Sequence, residues 1–124
     1  MKKKRISIVD DDIAIGRAIE ELLKSVGTPS NVFCSAKDFL ESACISQTSC
    51  LITDVKMPEI GGVELYKRAL ALGYRFPVIF ISAHENDSIY KAVQKVGAVG
   101  FLIKPFRDDT LLNYIQIAIA EDSG

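Results

Sequence analysis

The sequence predicts an α/β domain in which five parallel strands form one sheet and five helices cover its two faces. Short runs rich in Ile, Val, Phe and Leu alternate strictly with segments of helical periodicity. The strand-like runs are apolar nearly throughout, which is typical of strands covered on both faces. Because parallel strands are joined by right-handed crossovers, the intervening helices are expected on both sides of the sheet.

Five segments have the composition of strands. They are short and nearly continuous in apolar and β-branched residues, as expected for the interior of a parallel sheet. The predicted strands are Arg5–Val9, Asn31–Cys34, Cys50–Thr53, Val78–Ile81 and Gly100–Ile103.

Five further segments have apolar residues at helical spacing. In the first, Gly27 is expected at the C′ position and Pro29 prevents the helix from resuming. Ser35, with Asp38 three positions later, resembles a capping box for the second. The predicted helices are Ile13–Val26, Ala36–Cys44, Val63–Leu72, Asp87–Val96 and Thr110–Ala120. The apolar face of the first includes Ile15, Ala18, Ile19, Leu22, Leu23 and Val26.

Composition excludes several classes of protein. The 124 residues are enough for one domain, and 48% hydrophobic with 25% charged residues is ordinary for a globular protein. Lys and Arg total 15 against 16 Asp and Glu, so the net charge of −1 does not favour nucleic-acid binding by this segment. No apolar run approaches a membrane span, and the basic start, Lys2 to Arg5, precedes acidic residues and no signal-peptide core. We interpret that start as a solvated approach to the first strand and expect a cytoplasmic protein.

The cysteines do not form a recognisable metal or disulfide pattern. Cys34, Cys44 and Cys50 are odd in number, include no C-x-x-C pair and have no ligand-like spacing to His84, the single histidine. This excludes a disulfide scaffold and a zinc module. We interpret the three as small buried apolar side chains in a reducing compartment.

The absence of two nucleotide-binding motifs reduces the number of strand orders to consider. The first strand–helix loop lacks G-x-G-x-x-G, and no G-x-x-x-x-G-K-[ST] occurs, so neither a dinucleotide-binding fold nor a P-loop is indicated. The remaining common plan is the flavodoxin-like fold, with strand order 2-1-3-4-5. In such sheets, ligands bind beyond the carboxyl ends of the strands.

Polar residues follow four of the five predicted strands at that edge. Asp10 and Asp11 follow the first, Asp54 the third, Ser82 the fourth and Lys104 the fifth. A single aspartate after a strand is usually a cap or turn residue, but here several polar groups converge. Three carboxylates repel one another and one ammonium cannot neutralise them, so a hard cation with oxygen ligands, best Mg²⁺, is expected.

These residue types suit phosphoryl transfer to an aspartate. Asp54 would be the nucleophile and would form an acyl phosphate. Mg²⁺ and Lys104 would offset charge on the transferring oxygens, and the backbone carbonyl of Lys56 is a candidate further metal ligand.

The motifs resemble those of the receiver domains of bacterial response regulators, in order, at the usual spacings and over nearly the whole chain. They are Val9-Asp10-Asp11, Asp54-Val55-Lys56-Met57-Pro58 followed by Gly61-Gly62, Ser82-Ala83 and Lys104-Pro105-Phe106. The runs 80–84 and 97–106 are especially similar to the receivers of FixJ-type transcription regulators.

The resemblance implies a CheY-like fold and a phosphorylation switch of two-component signalling. A sensor histidine kinase, or a small phosphodonor, would phosphorylate Asp54. Asp11, Asp54 and the Lys56 carbonyl would bind Mg²⁺ directly, and Asp10 mainly through a coordinated water. Lys104 would pair with the phosphoryl group. The chain would act on itself only, and so would not be an enzyme with a turned-over substrate.

The resemblance also implies the switch residues. The Ser82 hydroxyl would move to hydrogen-bond the phosphoryl group, and Phe101 would follow by changing rotamer. Ser82 stands where Thr is commoner, which keeps the hydroxyl, and Phe101 lacks the phenolic OH of the Tyr that many relatives have. Similar domains have a cis bond before the proline that matches Pro105.

Three neighbouring residues are interpreted more simply. Asp12 is expected to cap or begin the first helix. His84 is expected at the rim of the site, where the resemblance implies an influence on phosphate hydrolysis, and the Lys56 side chain is expected in solvent.

Partner surfaces follow from unburied apolar residues and from the resemblance. Tyr90, Tyr114 and Ile117 are not easily buried by the predicted helices, so a homodimer through helix 4, strand 5 and helix 5 is a hypothesis. Residues 1–124 would be the whole receiver domain, either alone or as the N-terminal part of a longer regulator. DNA would be bound only by an output domain outside this chain, and no membrane partner is expected.

Two other functions are alternatives. An aspartate-nucleophile phosphatase acting on small phosphate esters would want a second Asp two residues after the nucleophile, where this chain has Lys56. A flavin-binding domain fits poorly, because three carboxylates repel an anionic phosphate unless a metal intervenes.

Overall fold

Five strands and five α-helices alternate along the chain. A computed structural model describes residues 4–121; residues 1–3 and 122–124, which include part of the basic start, lie outside the described range. The strands are β1 Ile6–Val9, β2 Ser30–Phe33, β3 Cys50–Asp54, β4 Val78–Ser82 and β5 Gly100–Ile103. The helices are α1 Ile13–Ser25, α2 Ala36–Leu40, α3 Gly62–Ala71, α4 Asp87–Lys95 and α5 Asp108–Glu121, with a 3₁₀ helix at Ala43–Gln47.

The strand order is β2-β1-β3-β4-β5, and every neighbouring pair is parallel. This confirms the predicted doubly wound architecture. The central strands β1, β3 and β4 are buried along their whole length, as their continuous apolar sequences predict. The edge strands β2 and β5 are partly exposed.

Two apolar layers lie on opposite faces of the sheet. One packs α1 and α5 against the sheet through residues that include Ile19, Leu23 and Leu111. The other packs α2, α3 and α4 through residues that include Phe39, Leu65 and Val93. None of the helices formed by residues 4–121 has both the length and the apolar character needed to cross a bilayer.

Helix ends agree with the predicted signals. Asp12 caps α1, since its carboxylate accepts from the N–H groups of Ala14 and Ile15. Gly27 has φ 78°, and its N–H donates to the Lys24 carbonyl, as in a Schellman motif. The Ser35 hydroxyl accepts from the Asp38 N–H over 3.1 Å and caps α2.

The second helix is shorter than predicted. We predicted Ala36–Cys44, but α2 ends at Leu40 and a separate 3₁₀ helix follows. The Ser42 hydroxyl accepts from the Cys44 N–H, and the Thr48 hydroxyl donates to the Cys44 carbonyl. These local bonds compete with a continuous helix, and the Thr48 hydroxyl is further held by buried Ser7 over 2.7 Å.

Two burial predictions were wrong in part. Of the cysteines only Cys50 is buried; Cys44 is half-buried and Cys34 is exposed where the chain leaves β2. On α1, Ile19 and Leu23 are buried as predicted, but Val26 is 53% exposed because it is the C-cap residue, beyond the part of the helix that packs on the sheet.

The other boundaries agree to within two residues, and those of β5 are as predicted. β3 and β4 each extend one residue further, and so include Asp54 and Ser82. α5 begins two residues before the predicted Thr110, because Asp108 and Asp109 form its first turn, where the helix dipole favours negative charge.

Candidate functional site

The two buried aspartates lie side by side at the carboxyl edge of the sheet. Asp10 follows β1 and Asp54 ends β3, and the register that pairs Val9 with Thr53 makes them neighbours. Asp10 is 1% exposed and Asp54 8%, whereas Asp11 is exposed. One carboxylate oxygen from each of the three lies within 4.8 Å of the others. The predicted acidic cluster is therefore formed.

Lys104 is the cation that faces this cluster. Its Nζ lies 3.1 Å from Oδ2 of Asp54 and 3.3 Å from Oδ2 of Asp10. The backbone positions it, because the Lys104 N–H donates to the Ser82 carbonyl over 2.8 Å and so extends the β4–β5 pairing. The bond between Lys104 and Pro105 is cis, as the resemblance implied.

Burial and neighbouring charges shift the pKa values of both Asp10 and Lys104. Burial raises the pKa of Asp10, and the neighbouring Asp54 charge adds to that rise, against the opposing effects of the Asp12 N–H and Lys104. Burial lowers the pKa of Lys104, but its bonds to Asp54 and Asp10 outweigh burial and raise it overall. The ammonium therefore stays charged, while the Asp10 charge is only partly compensated.

The donor set fits a hard divalent cation. Three carboxylates against one ammonium leave an excess of negative charge. Burial is the main cause of the raised pKa of Asp10, and the charge of Asp54 adds to it. Carboxylate oxygens are the ligands that Mg²⁺ prefers, with some positions left to water or phosphate.

The loop after β3 is tightly folded against the strand end. The Gly62 N–H donates to the Val55 carbonyl over 2.9 Å. A Cβ at Gly62 would lie 2.2 Å from the Asp54 carbonyl oxygen, and one at Gly61 would lie 2.7 Å from that of Val55. Only glycine fits at these close approaches. Lys56, which begins this loop, has an exposed side chain, as predicted.

Ser82 lies at the same edge, but its hydroxyl is bonded elsewhere. It donates to the His84 carbonyl over 2.7 Å and accepts from the His84 N–H over 3.0 Å. Ser82 itself is 1% exposed, whereas His84 is exposed, in agreement with its predicted place at the rim. The Ser82 hydroxyl proton is therefore already used in a hydrogen bond to the loop that leads into α4.

The predicted switch residue and partner surface lie on α4, β5 and α5. Phe101 is half-buried, with its ring centroid 6.4 Å from that of Tyr90. Tyr90 is 50% and Ile117 51% exposed, as expected for unburied apolar residues. Tyr114 is half-buried instead, because its ring lies against the backbone of Gly100, where a Cβ would come within 2.5 Å of it.

Sequence reasoning missed a hollow beside the acidic cluster. It has a volume of about 270 Å³, and its wall includes Asp11, Cys34, Lys37 and Glu59. Asp11, Cys34 and Glu59 come from three different loops, and Lys37 comes from α2. No spacing in the sequence predicts that these residues lie together, so the hollow can be recognised only in the folded structure.

Known proteins are similar to this chain in sequence and in fold. The family model described as a response regulator receiver domain matches residues 6–116. Response regulator protein TodT of Pseudomonas putida is 40% identical over 114 residues, which are 92% of this chain and 50% of TodT. Transcriptional regulatory protein FixJ of Bradyrhizobium diazoefficiens is 36% identical over 119 residues, which are 96% of this chain and 58% of FixJ.

A solved structure agrees as well. The crystal structure of FixJ-N has a TM-score of 0.85 to this chain at 30% identity, covering 97% of this chain and 96% of FixJ-N. The chain spans about half the length of the curated relatives it matches. Nothing in these relationships supports the phosphatase alternative, and the position that such an enzyme would need is held by the exposed Lys56. The chain therefore belongs to the response regulator receiver domain family of two-component signalling.

Proposed function

We propose that Asp54 is the phosphoacceptor of this receiver domain. The observation that carries the proposal is the contact of Asp54 with Lys104 over 3.1 Å at the edge where Asp10 and Asp11 also meet. A carboxylate held beside a fixed ammonium and two further carboxylates is suited to attack a phosphoryl group once a divalent cation is bound.

The roles of the surrounding groups follow from their chemistry. Asp10, Asp11, Asp54 and the Lys56 carbonyl would hold Mg²⁺. When bound, the metal would offset negative charge on the phosphoryl oxygens. The Asp54 oxygen would form a bond to phosphorus as the bond between phosphorus and the donor's leaving group breaks, and the leaving group would depart with the electron pair. Lys104 would stay close enough to pair with the oxygens of the transferred group. Water would limit the lifetime of the acyl phosphate, and the exposed His84 would affect the access of water to it.

The switch begins at Ser82. For its hydroxyl to donate to a phosphoryl group on Asp54, it must give up its 2.7 Å bond to the His84 carbonyl. Phe101 would then change rotamer and alter the surface of α4, β5 and α5. A free-energy bias of only a few kcal/mol between the two conformers is enough to change partner affinity substantially.

The partners are proposed from the family and its members. A sensor histidine kinase would supply the phosphoryl group. Tyr90 and Ile117, each about half exposed, would take part in a phosphorylation-dependent homodimer. Since relatives such as FixJ are named transcriptional regulators and are longer than this chain, we propose a transcriptional output through a DNA-binding segment outside it. The reduced cytoplasm would suit the cysteine thiols.

The test is phosphorylation by acetyl phosphate in Mg²⁺, measured as a mass increase of the intact chain that acid and hydroxylamine reverse. We expect the wild type and Asp38→Asn, which changes an exposed aspartate on α2, to be labelled equally. Asp54→Asn, or omission of the cation, should abolish labelling. Labelling that persists in Asp54→Asn would refute the assignment.

A further inference from the structure

Glu59 is held in a backbone conformation that glutamate rarely adopts. Its φ is 67°, and within residues 4–121 it alone among non-glycine residues has a positive φ. The Ile60 N–H donates to the Pro58 carbonyl over 2.8 Å and closes a three-residue turn around Glu59. Glycine would relieve this strain, so a glutamate at this position suggests a use for its side chain.

The turn is fixed relative to Asp54. The bond from the Gly62 N–H to the Val55 carbonyl ties the base of the loop to the residue that follows Asp54. The close approach of Gly62 to the Asp54 carbonyl oxygen is a second contact that holds the base of the loop against the end of β3. The loop that includes Glu59 is therefore anchored next to the phosphoacceptor.

Glu59 is part of the wall of the hollow of about 270 Å³ that also includes Asp11 and Lys37. Through Asp11 this hollow joins the acidic cluster around Asp54. Among the described residues, the Glu59 carboxylate makes no ion pair, not even with Lys37 in the same wall. An uncompensated negative charge thus stands beside the approach to Asp54.

We propose that Glu59 sets the preference of Asp54 among phosphodonors, favouring donors whose leaving group is a nitrogen base over donors whose leaving group is a carboxylate. The inference rests on the proposed function of Asp54. The physical basis is electrostatic repulsion, because a nearby carboxylate disfavours the approach of each donor in proportion to the donor's negative charge. This repulsion extends over about 10 Å at an ionic strength of about 0.1 M, and further in more dilute salt.

Two small donors represent the two classes. With phosphoramidate, an Asp54 oxygen bonds to phosphorus as the P–N bond breaks, and the nitrogen, which is already protonated, leaves with the electron pair as ammonia. With acetyl phosphate the P–O bond breaks, and acetate leaves with the pair. Near pH 7, phosphoramidate carries one negative charge fewer, so Glu59 penalises it less.

The experiment measures the phosphorylation rate of Asp54 with each donor, in Mg²⁺ at low ionic strength, by intact mass. We expect the ratio of the phosphoramidate rate to the acetyl phosphate rate to fall about twofold in Glu59→Gln and about fourfold in Glu59→Lys. Glu21→Gln, which removes an exposed charge from the second half of α1, is the matched control and should keep the wild-type ratio.

Glu59→Gly separates charge from backbone strain. The ratio of its phosphoramidate rate to its acetyl phosphate rate should match that of Glu59→Gln, and its melting temperature should be no lower than that of the wild type. An unchanged ratio in the Glu59 variants, or an equal fall in Glu21→Gln, would overturn the inference but leave Asp54 as the phosphoacceptor. If the wild type takes a phosphoryl group from neither donor, the proposed function fails, and this inference fails with it.

Discussion

The Lys104 ammonium donates a hydrogen bond to Oδ2 of Asp54 over 3.1 Å, although 50 positions separate the two residues in the chain. The same ammonium lies 3.3 Å from Oδ2 of Asp10, which comes from another strand. One cation thus bridges two buried carboxylates, and Asp11 adds a third nearby. Charge is unbalanced here, so substitutions that change it should have effects of predictable sign.

Asp10→Asn should stabilise the fold in the absence of divalent cations, by about 1 kcal/mol at neutral pH, because it removes a buried and poorly compensated charge. The folded-state pKa of Asp10 lies above its usual value of 3.8, so the folded protein binds more protons and loses stability as pH rises above that value. Asp10→Asn does not lose stability in this way, so its greater free energy of unfolding relative to the wild type should vanish at pH below about 3.8.

Urea denaturation in EDTA at several pH values checks this prediction, and Mg²⁺ provides the control. The cation should stabilise the wild type more than the variant, since it binds the folded site. A variant that is less stable than the wild type in EDTA at pH 7 would contradict it.

Lys104→Gln should destabilise the fold by about 1–2 kcal/mol without divalent cations, because Asp10 and Asp54 then lose their shared ammonium. The folded-state pKa of Lys104 lies above 10.5, so its contribution is complete below that pH and is lost as pH rises through the folded-state value. Lys104→Arg keeps the charge and is the matched control.

Chemical denaturation at neutral pH, with and without Mg²⁺, measures these variants. Mg²⁺ should recover part of the stability lost in Lys104→Gln, since it supplies positive charge to the same carboxylates. Equal stabilities of Lys104→Gln and the wild type would mean that the two contacts contribute nothing.

Ser82→Ala should free the loop between β4 and α4 by removing both bonds to His84. A cost of about 1 kcal/mol and faster amide exchange at His84 are expected, because that N–H loses its 3.0 Å acceptor. Ser82→Thr keeps a hydroxyl and should preserve the protection. Amide exchange by NMR is the measurement, and unchanged protection at His84 in Ser82→Ala would show that the hydroxyl does not hold the loop.

Gly62→Ala should cost about 3 kcal/mol, because the new Cβ would be placed 2.2 Å from the Asp54 carbonyl oxygen. Gly27→Ala is the comparison: its φ is 78° but nothing lies within 4 Å, so only the left-handed backbone is penalised, by about 1 kcal/mol. Thermal or urea unfolding measures both. Similar costs for the two variants would contradict the steric argument. Weaker Mg²⁺ binding by Gly62→Ala would show that Asp54 has moved.

Much of the fold could be predicted because its signals are local. The apolar strands, the capping residues Asp12 and Ser35 and the helix-ending glycine Gly27 all have the predicted roles. The early end of α2 could not be predicted, because it depends on the Thr48 hydroxyl bonded to Ser7, 41 positions away. The burial of each cysteine likewise depends on what other elements cover.

The sequence by itself determined that strands alternate with helices and which residues stand at the carboxyl ends of the strands, since the continuous apolar runs and the chemistry of Asp10, Asp54 and Lys104 are written in the chain. Only the tertiary structure decided what those residues contact. The Ser82 hydroxyl is bonded to His84, and the Glu59 carboxylate shares a hollow with Asp11. Such contacts follow from how loops distant in sequence pack, and local propensity does not encode them.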